Sequence, residues 1–394
     1  MSDEEGRSSD ADRVTALPIP LVAREDRDPH PSDRQRGSMA PIPLVRHAGA
    51  GGAQGAEAVA VEALLEVRDL TVSFTVEGQS RRVLDQVSFA VPRGKTVGLV
   101  GESGSGKTMT ALSVLRLLPS SASIEGGAIL LGGEDLLGLG EREMRAARGG
   151  RVGLVFQEPA TALDPVYTVG AQVAEAIRLH GRVSRGEARR RAVEWLRRVG
   201  LPEPERRMDS YPHELSGGMR QRVMIAIALA PGPSLLIADE PTSALDMTTQ
   251  AQILDLLEGL RGDLGMSMLL IAHDLALVAA VADEIVVLYA GQVVEQGPAR
   301  EVLGAPVHPY TRALLRSAPP AGAFRVRGER RKKLPALGGA PPDLLSPPPG
   351  CRFEERCPEV LVRCREDAPL LYTAGPGRRA RCLLAEGARW EASS

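Results

Sequence analysis

Gly101-Glu102-Ser103-Gly104-Ser105-Gly106-Lys107-Thr108 fits the pattern G-x-x-x-x-G-K-[ST] at every fixed position. Thr96 to Val100 (TVGLV), just before it, is a short apolar run rich in valine, and Met109 to Leu118 (MTALSVLRLL), just after it, predicts a helix. Strand, glycine loop and helix start in this order make a cradle for phosphate. Glycines let backbone N–H groups approach an anion, and the helix turns the positive end of its dipole toward it. In such a cradle Gly101, Ser103, Gly104, Ser105 and Gly106 form the loop, Lys107 reaches the β- and γ-phosphates, and Thr108 binds Mg²⁺. Lysine is scarce in this chain, with Lys95, Lys107, Lys332 and Lys333 its only four. One retained inside the loop is what a compact, flexible phosphate contact requires.

Outward from the loop, 394 residues of which 43% are hydrophobic predict two or three units with a sizeable core. A formal charge of −2 gives no global electrostatic case for nucleic acid as a partner. No apolar run approaches the roughly 18 residues needed to cross a bilayer, and the opening MSDEEGRSSD is unlike a signal peptide. A soluble intracellular chain, alone or docked on something else, is therefore expected. Residues 1–60 are expected to be a disordered tail, since their Ala-, Gly-, Pro-, Asp- and Arg-rich composition lacks a strand or helix period. Within it Pro18-Ile19-Pro20-Leu21-Val22 recurs as Pro41-Ile42-Pro43-Leu44-Val45. A neutral extension is preferred there over a docking motif, and Met39 is an alternative initiator.

Leu65 to Val76 and Val83 to Val91 alternate apolar and polar residues and predict two strands joined by a turn at Glu77 to Ser80. Phe74 on the first is placed either to stack on an adenine ring or to fill the core. Further strands are predicted at Ile129 to Leu131 and Arg151 to Phe156, the latter ending at Gln157, whose amide oxygen could accept from water or ligate Mg²⁺. Val169 to Val199 has a helical period and reads as a small insertion. Leu215-Ser216-Gly217-Gly218-Met219 then precedes a predicted helix at Arg220 to Leu229, so Ser216, Gly217 and Gly218 make a second anion site without a lysine.

Leu235 to Ala238 predicts a strand ending in Asp239 and Glu240. Asp239 is suited to hold Mg²⁺ through its water shell and Glu240 to polarise an attacking water, the nucleophile-positioning role in phosphoryl transfer. Ser243-Ala244-Leu245-Asp246 opens the next helix. Met268 to Ala272 predicts another strand, ending at His273, where ligands bind in parallel sheets.

Taken in order, GESGSGKT, Gln157, LSGGM, LLIADE, SALD and His273 resemble the nucleotide-binding subunit of an ABC transporter over roughly residues 64–300. The resemblance implies an α/β phosphate-loop NTPase fold with an antiparallel β subdomain and a helical subdomain at about 160–230, within a nucleotide-binding domain spanning 61–300. It implies two such domains sandwiching two ATP molecules, each bound by the phosphate loop of one and by Ser216 of the other, with Asp246 among the nucleotide-binding residues. Gln157 would sense the γ-phosphate and couple to the membrane partner, and His273 would contact that phosphate. Phe156 to Val173, His308-Pro309-Tyr310-Thr311-Arg312-Ala313-Leu314-Leu315 and the extension 301–394 are similar to ATPases of dipeptide and oligopeptide importers, a group that includes nickel and glutathione systems. That implies peptide import at the cytoplasmic face of the membrane, a second and different ATPase subunit, two transmembrane permease subunits and a substrate-binding protein.

All four cysteines, Cys351, Cys357, Cys364 and Cys382, fall in the extension, with spacers of five, six and seventeen residues. An intracellular setting argues against disulfides. Paired C-x-x-C spacing is absent, which leaves zinc unsupported, while four thiolates without a nearby histidine suit a [4Fe–4S] cluster. Similar tails occur in the peptide-importer ATPases, some of them carrying such a cluster, so [4Fe–4S] is expected ahead of Zn²⁺ or free thiols. The run Arg327 to Lys333 reads as a solvated linker.

Overall fold

The computed structural model describes residues 62–317 apart from 77 and 244, and residues 337–386 apart from 345. The expected tail with its duplicated motif, Met39 and the Arg327 to Lys333 run lie outside the described residues. Twelve strands are present among them: β1 Ala63–Val76, β2 Gln79–Pro92, β3 Thr96–Val100, β4 Ala122–Leu131, β5 Glu134–Asp135 and β6 Val152–Val155. The rest are β7 Leu235–Asp239, β8 Ser267–Ala272, β9 Glu284–Tyr289, β10 Gln292–Pro298, β11 Tyr372–Gly375 and β12 Arg378–Ala380. They form a four-stranded antiparallel sheet, β2-β1-β4-β5, and an eight-stranded sheet, β11-β12-β10-β9-β3-β8-β7-β6. In the large sheet β9, β3, β8, β7 and β6 are parallel, while β10, β12 and β11 continue it antiparallel.

Period-two alternation explains why the parallel strands read as continuous apolar runs. Leu235 and Ile237 of β7 enter the core shared with the antiparallel sheet and the phosphate-loop helix, whereas Leu236 and Ala238 enter the core shared with the helical region. Both faces are covered, so neither tolerates a polar residue until the strand ends. Those ends are where the acids and His273 sit.

The helix behind the loop is shorter than its apolar run predicts. It spans Lys107–Val114 and stops as Arg116 takes a left-handed φ of 50°. Side chains take over its last carbonyls: Arg148 donates to the carbonyls of Leu115 at 2.8 Å and Arg116 at 3.2 Å. The predicted 151–156 strand is β6, two residues short of Gln157. The helical stretch divides into Val169–His180 and Arg185–Arg198, each opened by a side-chain cap, Thr168 and Ser184.

Sequence reading did not foresee that the C-terminal extension completes the large sheet. Its hairpin β11–β12 pairs with β10, and a buried ion pair fastens it there. Glu295 on β10 is fully buried and accepts from Arg378 of β12 at 2.6 Å, from the Val307 amide at 2.9 Å and from the His308 amide at 2.9 Å. Both oxygens of the carboxylate are thus hydrogen-bonded inside the protein. Breaking such a pair leaves an uncompensated buried charge. Arg378→Ala is expected to lower unfolding stability by about 3–5 kcal/mol in denaturant titration, and a loss within error of zero would show that the hairpin is not held by this pair.

Candidate nucleotide site

Strand β3 delivers the chain into a loop whose shape depends on missing side chains. A Cβ on Gly101 would lie 2.1 Å from the Leu288 carbonyl oxygen, and Gly106 has φ 106° with Leu84 2.5 Å from where its Cβ would stand. The Lys107 ammonium group folds back over the loop, donating to the carbonyls of Gly101 at 2.7 Å and Glu102 at 2.9 Å. Burial pushes its pKa down, while the carboxylates of Glu240, Asp239 and Glu102 oppose the shift. An ammonium group surrounded by three acids and lacking a carboxylate salt bridge of its own is poised for an anionic ligand.

Strands β7 and β8 bring their ends alongside. Burial pushes the Asp239 carboxyl up, and a hydrogen bond from the Thr108 hydroxyl opposes this. The Asp239 Oδ1 atom is buried with no hydrogen-bond partner. Glu240 has a left-handed φ of 44°, its backbone N–H bonded to the Ile271 carbonyl at 2.9 Å, and its side chain turned to the same cleft. Glu240 Oε2 accepts from Gln157 Nε2 at 3.0 Å and lies 3.3 Å from His273 Nδ1. Ser243 Oγ lies 3.0 Å from the carbonyls of both Gln157 and Glu240, tying the β6 and β7 ends together. Lys107, Thr108, Gln157, Asp239, Glu240 and His273, scattered over 167 positions of sequence, therefore form one cluster.

Ser216, Gly217, Gly218 and Asp246 form a second group. Ser216 caps the helix Gly217–Leu229, accepting from the Met219 amide at 3.4 Å. Asp246 caps Met247–Leu264 through the amides of Thr248 at 3.1 Å and Thr249 at 3.0 Å. The two helix starts touch: a Cβ on Gly218 would sit 3.0 Å from Thr249 Cγ2. Phe74 is half-buried on β1, opposite Arg81 and Ala122, and is not among the side chains packed into either large core.

The residues missed in the sequence come from the extension. The Tyr310 hydroxyl accepts from the Glu102 amide at 2.8 Å, and Arg356 engages the Glu102 side chain. The quoted His-Pro-Tyr run carried the signal for Tyr310, but nothing local tied Arg356 to a loop 254 residues away. The cysteines lie in the same region, where the Cys351 amide donates to the Cys364 carbonyl at 2.7 Å. Burial pushes the thiols of Cys351, Cys357 and Cys382 up, to about 11 for Cys351 and Cys382. Every sulfur also meets a backbone N–H: Phe353 for Cys351, Glu359 for Cys357, Leu384 for Cys382 and Leu361 for Cys364. All four are free thiols, and among the described residues no group of three or more His, Cys, Asp or Glu is arranged to hold a single metal ion.

Comparison with known proteins matches residues 84–243 to the ABC transporter family model and residues 294–364 to the oligopeptide/dipeptide transporter C-terminal region. The chain is 51% identical over 320 residues to a probable peptide ABC transporter ATP-binding protein of Sinorhizobium fredii, covering 81% of this chain and 94% of that one. The chain belongs to the ABC transporter ATP-binding proteins. Proteins of Brucella abortus and Brucella suis carrying the name peptide import ATP-binding protein are 47% identical, again over 81% of this chain and 94% of theirs. Among solved structures, a dimeric ATP-binding cassette in a post-hydrolysis state bound to ADP and Pi superposes with a TM-score of 0.55 at 29% identity. It covers 60% of this chain and 99% of the cassette. A Clostridium perfringens cassette described as part of an ABC transporter complex gives 0.54 at 27% identity, covering 62% of this chain and 91% of its own. This ABC ATPase is thus an ATP-hydrolysing cassette with an additional C-terminal region, and no helix among its described residues is long and apolar enough to cross a membrane.

Proposed function

We propose that this ATPase powers peptide import as one half of a two-cassette sandwich, bound peripherally to two membrane subunits at the cytoplasmic face. The single observation that carries the hydrolytic reading is the Glu240 carboxylate, pinned between Gln157 and His273 beside Lys107 and Asp239. ATP would lie along the loop, its phosphates on the N–H groups of Gly104 to Thr108 and its adenine against Phe74. Lys107 would exchange the carbonyls of Gly101 and Glu102 for the β- and γ-phosphates. The orphaned Asp239 Oδ1, with the Thr108 hydroxyl beside it, fits Mg²⁺, and Gln157 completes that donor set. Bound there, Mg²⁺ would neutralise charge on the phosphate oxygens.

Glu240 would orient the attacking water and take its proton, with His273 contacting the γ-phosphate. Ser216, Gly217 and Gly218 would close on the ATP of the opposing cassette, a helix start without a lysine serving as the second anion contact. Asp246 would hold the neighbouring helix start to the same junction. Dimeric state in a solved relative supports the sandwich, and the names of the relatives support peptides as cargo; a binding protein, two membrane subunits and a second ATPase are the partners this reading proposes. The division into residues 1–60, 61–300 and 301–394 belongs to the same proposal. Glu240→Gln is expected to keep ATP affinity while hydrolysis falls roughly 10²- to 10⁴-fold. Phosphate release close to the wild-type rate would remove Glu240 from that role.

The four cysteines are proposed to hold a [4Fe–4S] cluster. Four free cysteines without a disulfide support this reading, two of them brought together where the Cys351 amide donates to the Cys364 carbonyl at 2.7 Å. Anaerobically purified protein should contain iron and acid-labile sulfide in equal amounts, about four of each per chain; zinc without sulfide, or neither metal, would refute the cluster.

A further inference from the structure

The phosphate loop carries a puzzle. Glu102, its second residue, places a carboxylate in a loop built to bind a highly charged anion. Unpaired, that charge would repel the triphosphate. The C-terminal region answers it: Arg356, one residue before Cys357, donates from Nη1 to Glu102 Oε2 at 2.7 Å and from Nη2 to Oε1 at 2.9 Å. This two-pronged geometry is the strongest that arginine and a carboxylate can make. The Arg356 side chain is only 5% exposed and Glu102 25%, so bulk solvent does little to screen the pair.

Arg356 is itself held on every side. Its Nε donates to the Gly338 carbonyl at 2.9 Å and its Nη1 to the Tyr289 hydroxyl at 3.1 Å. Its guanidinium lies 5.7 Å from the Tyr289 ring centre and 5.9 Å from that of Phe353. Tyr289, Tyr310 and Phe353 pack together with centroids 4.4 to 5.4 Å apart. Tyr310 reaches from this group to the Glu102 amide, so side chain and backbone of Glu102 are both fixed from the extension. The Glu102 carbonyl in turn receives Lys107 Nζ. A cleft of about 330 Å³ lies between residues 102–105 and residues 341–344.

We infer that Arg356 is a positioning residue for nucleotide binding, acting through Glu102: it neutralises the carboxylate and fixes the loop's entry, so the C-terminal region sets the affinity of the ATP site. The inference rests on the ATP-binding reading above. It differs from a packing role in one respect: the harm done by losing Arg356 depends on the charge of Glu102.

The test is a double-mutant cycle on the full-length chain, reading the Kd for ATP with Mg²⁺ by calorimetry and the melting temperature alongside. Arg356→Ala should weaken ATP binding about tenfold. In the Glu102→Gln background the same Arg356→Ala change should alter Kd by less than about threefold. Where Arg356→Ala does not fold, Arg356→Gln, which keeps a donor for Gly338 but no charge, carries the same comparison. Wild-type affinity in the single variant, or an equal loss in both backgrounds, overturns the inference. Absence of ATP binding by the wild-type chain would instead overturn the reading on which it rests.

Discussion

A buried ammonium group sets the terms for the rest of this molecule. Lys107 is held at a helix start where burial pushes its pKa down, the carboxylates of Glu240, Asp239 and Glu102 oppose that shift, and two backbone carbonyls accept from its ammonium group. Such a group is costly to fold and useful only to an anion. The surrounding architecture maintains that arrangement: β3 supplies the rigid entry, β7 and β8 bring Asp239 and Glu240 alongside, and the C-terminal region clamps Glu102. Charge balance in the site is therefore shared by segments hundreds of residues apart.

Two faces of one loop are controlled separately. On one side, the strand ends hold Gln157, Glu240 and His273 in contact through a single carboxylate oxygen. On the other side, the aromatic group Tyr289, Tyr310 and Phe353 ties the loop to the cysteine-bearing region. That tie gives this chain a physical link between its cysteines and its nucleotide site, running through consecutive residues Arg356 and Cys357.

Much of this was legible in the sequence because it is local. The G-x-x-x-x-G-K-T loop, the LSGGM helix start and the acids after LLIA each lie at the boundary of an element whose period is clear. The four-cysteine motif and the His-Pro-Tyr run were equally visible. What escaped was set by pairing over long separations: β12 joining β10 through Arg378 and Glu295, and Arg356 reaching Glu102. Arginines abound here, and no spacing marks which of them has a carboxylate waiting across the fold. The end of the phosphate-loop helix at Val114 was misread for a related reason, since Arg148, far along the chain, satisfies the carbonyls that another helical turn would have used.

The proposed ATP hydrolysis requires Mg²⁺, which Asp239 and Thr108 would hold. The most direct measurement is phosphate release by the chain assembled with its transporter partners, with Mg²⁺ varied at fixed ATP. Hydrolysis that rises from near zero and saturates with Mg²⁺, and that stops when Asp239 is changed to Ala, is the predicted result. Turnover indifferent to Mg²⁺ or to Asp239, or bound ATP that is never hydrolysed, would contradict it.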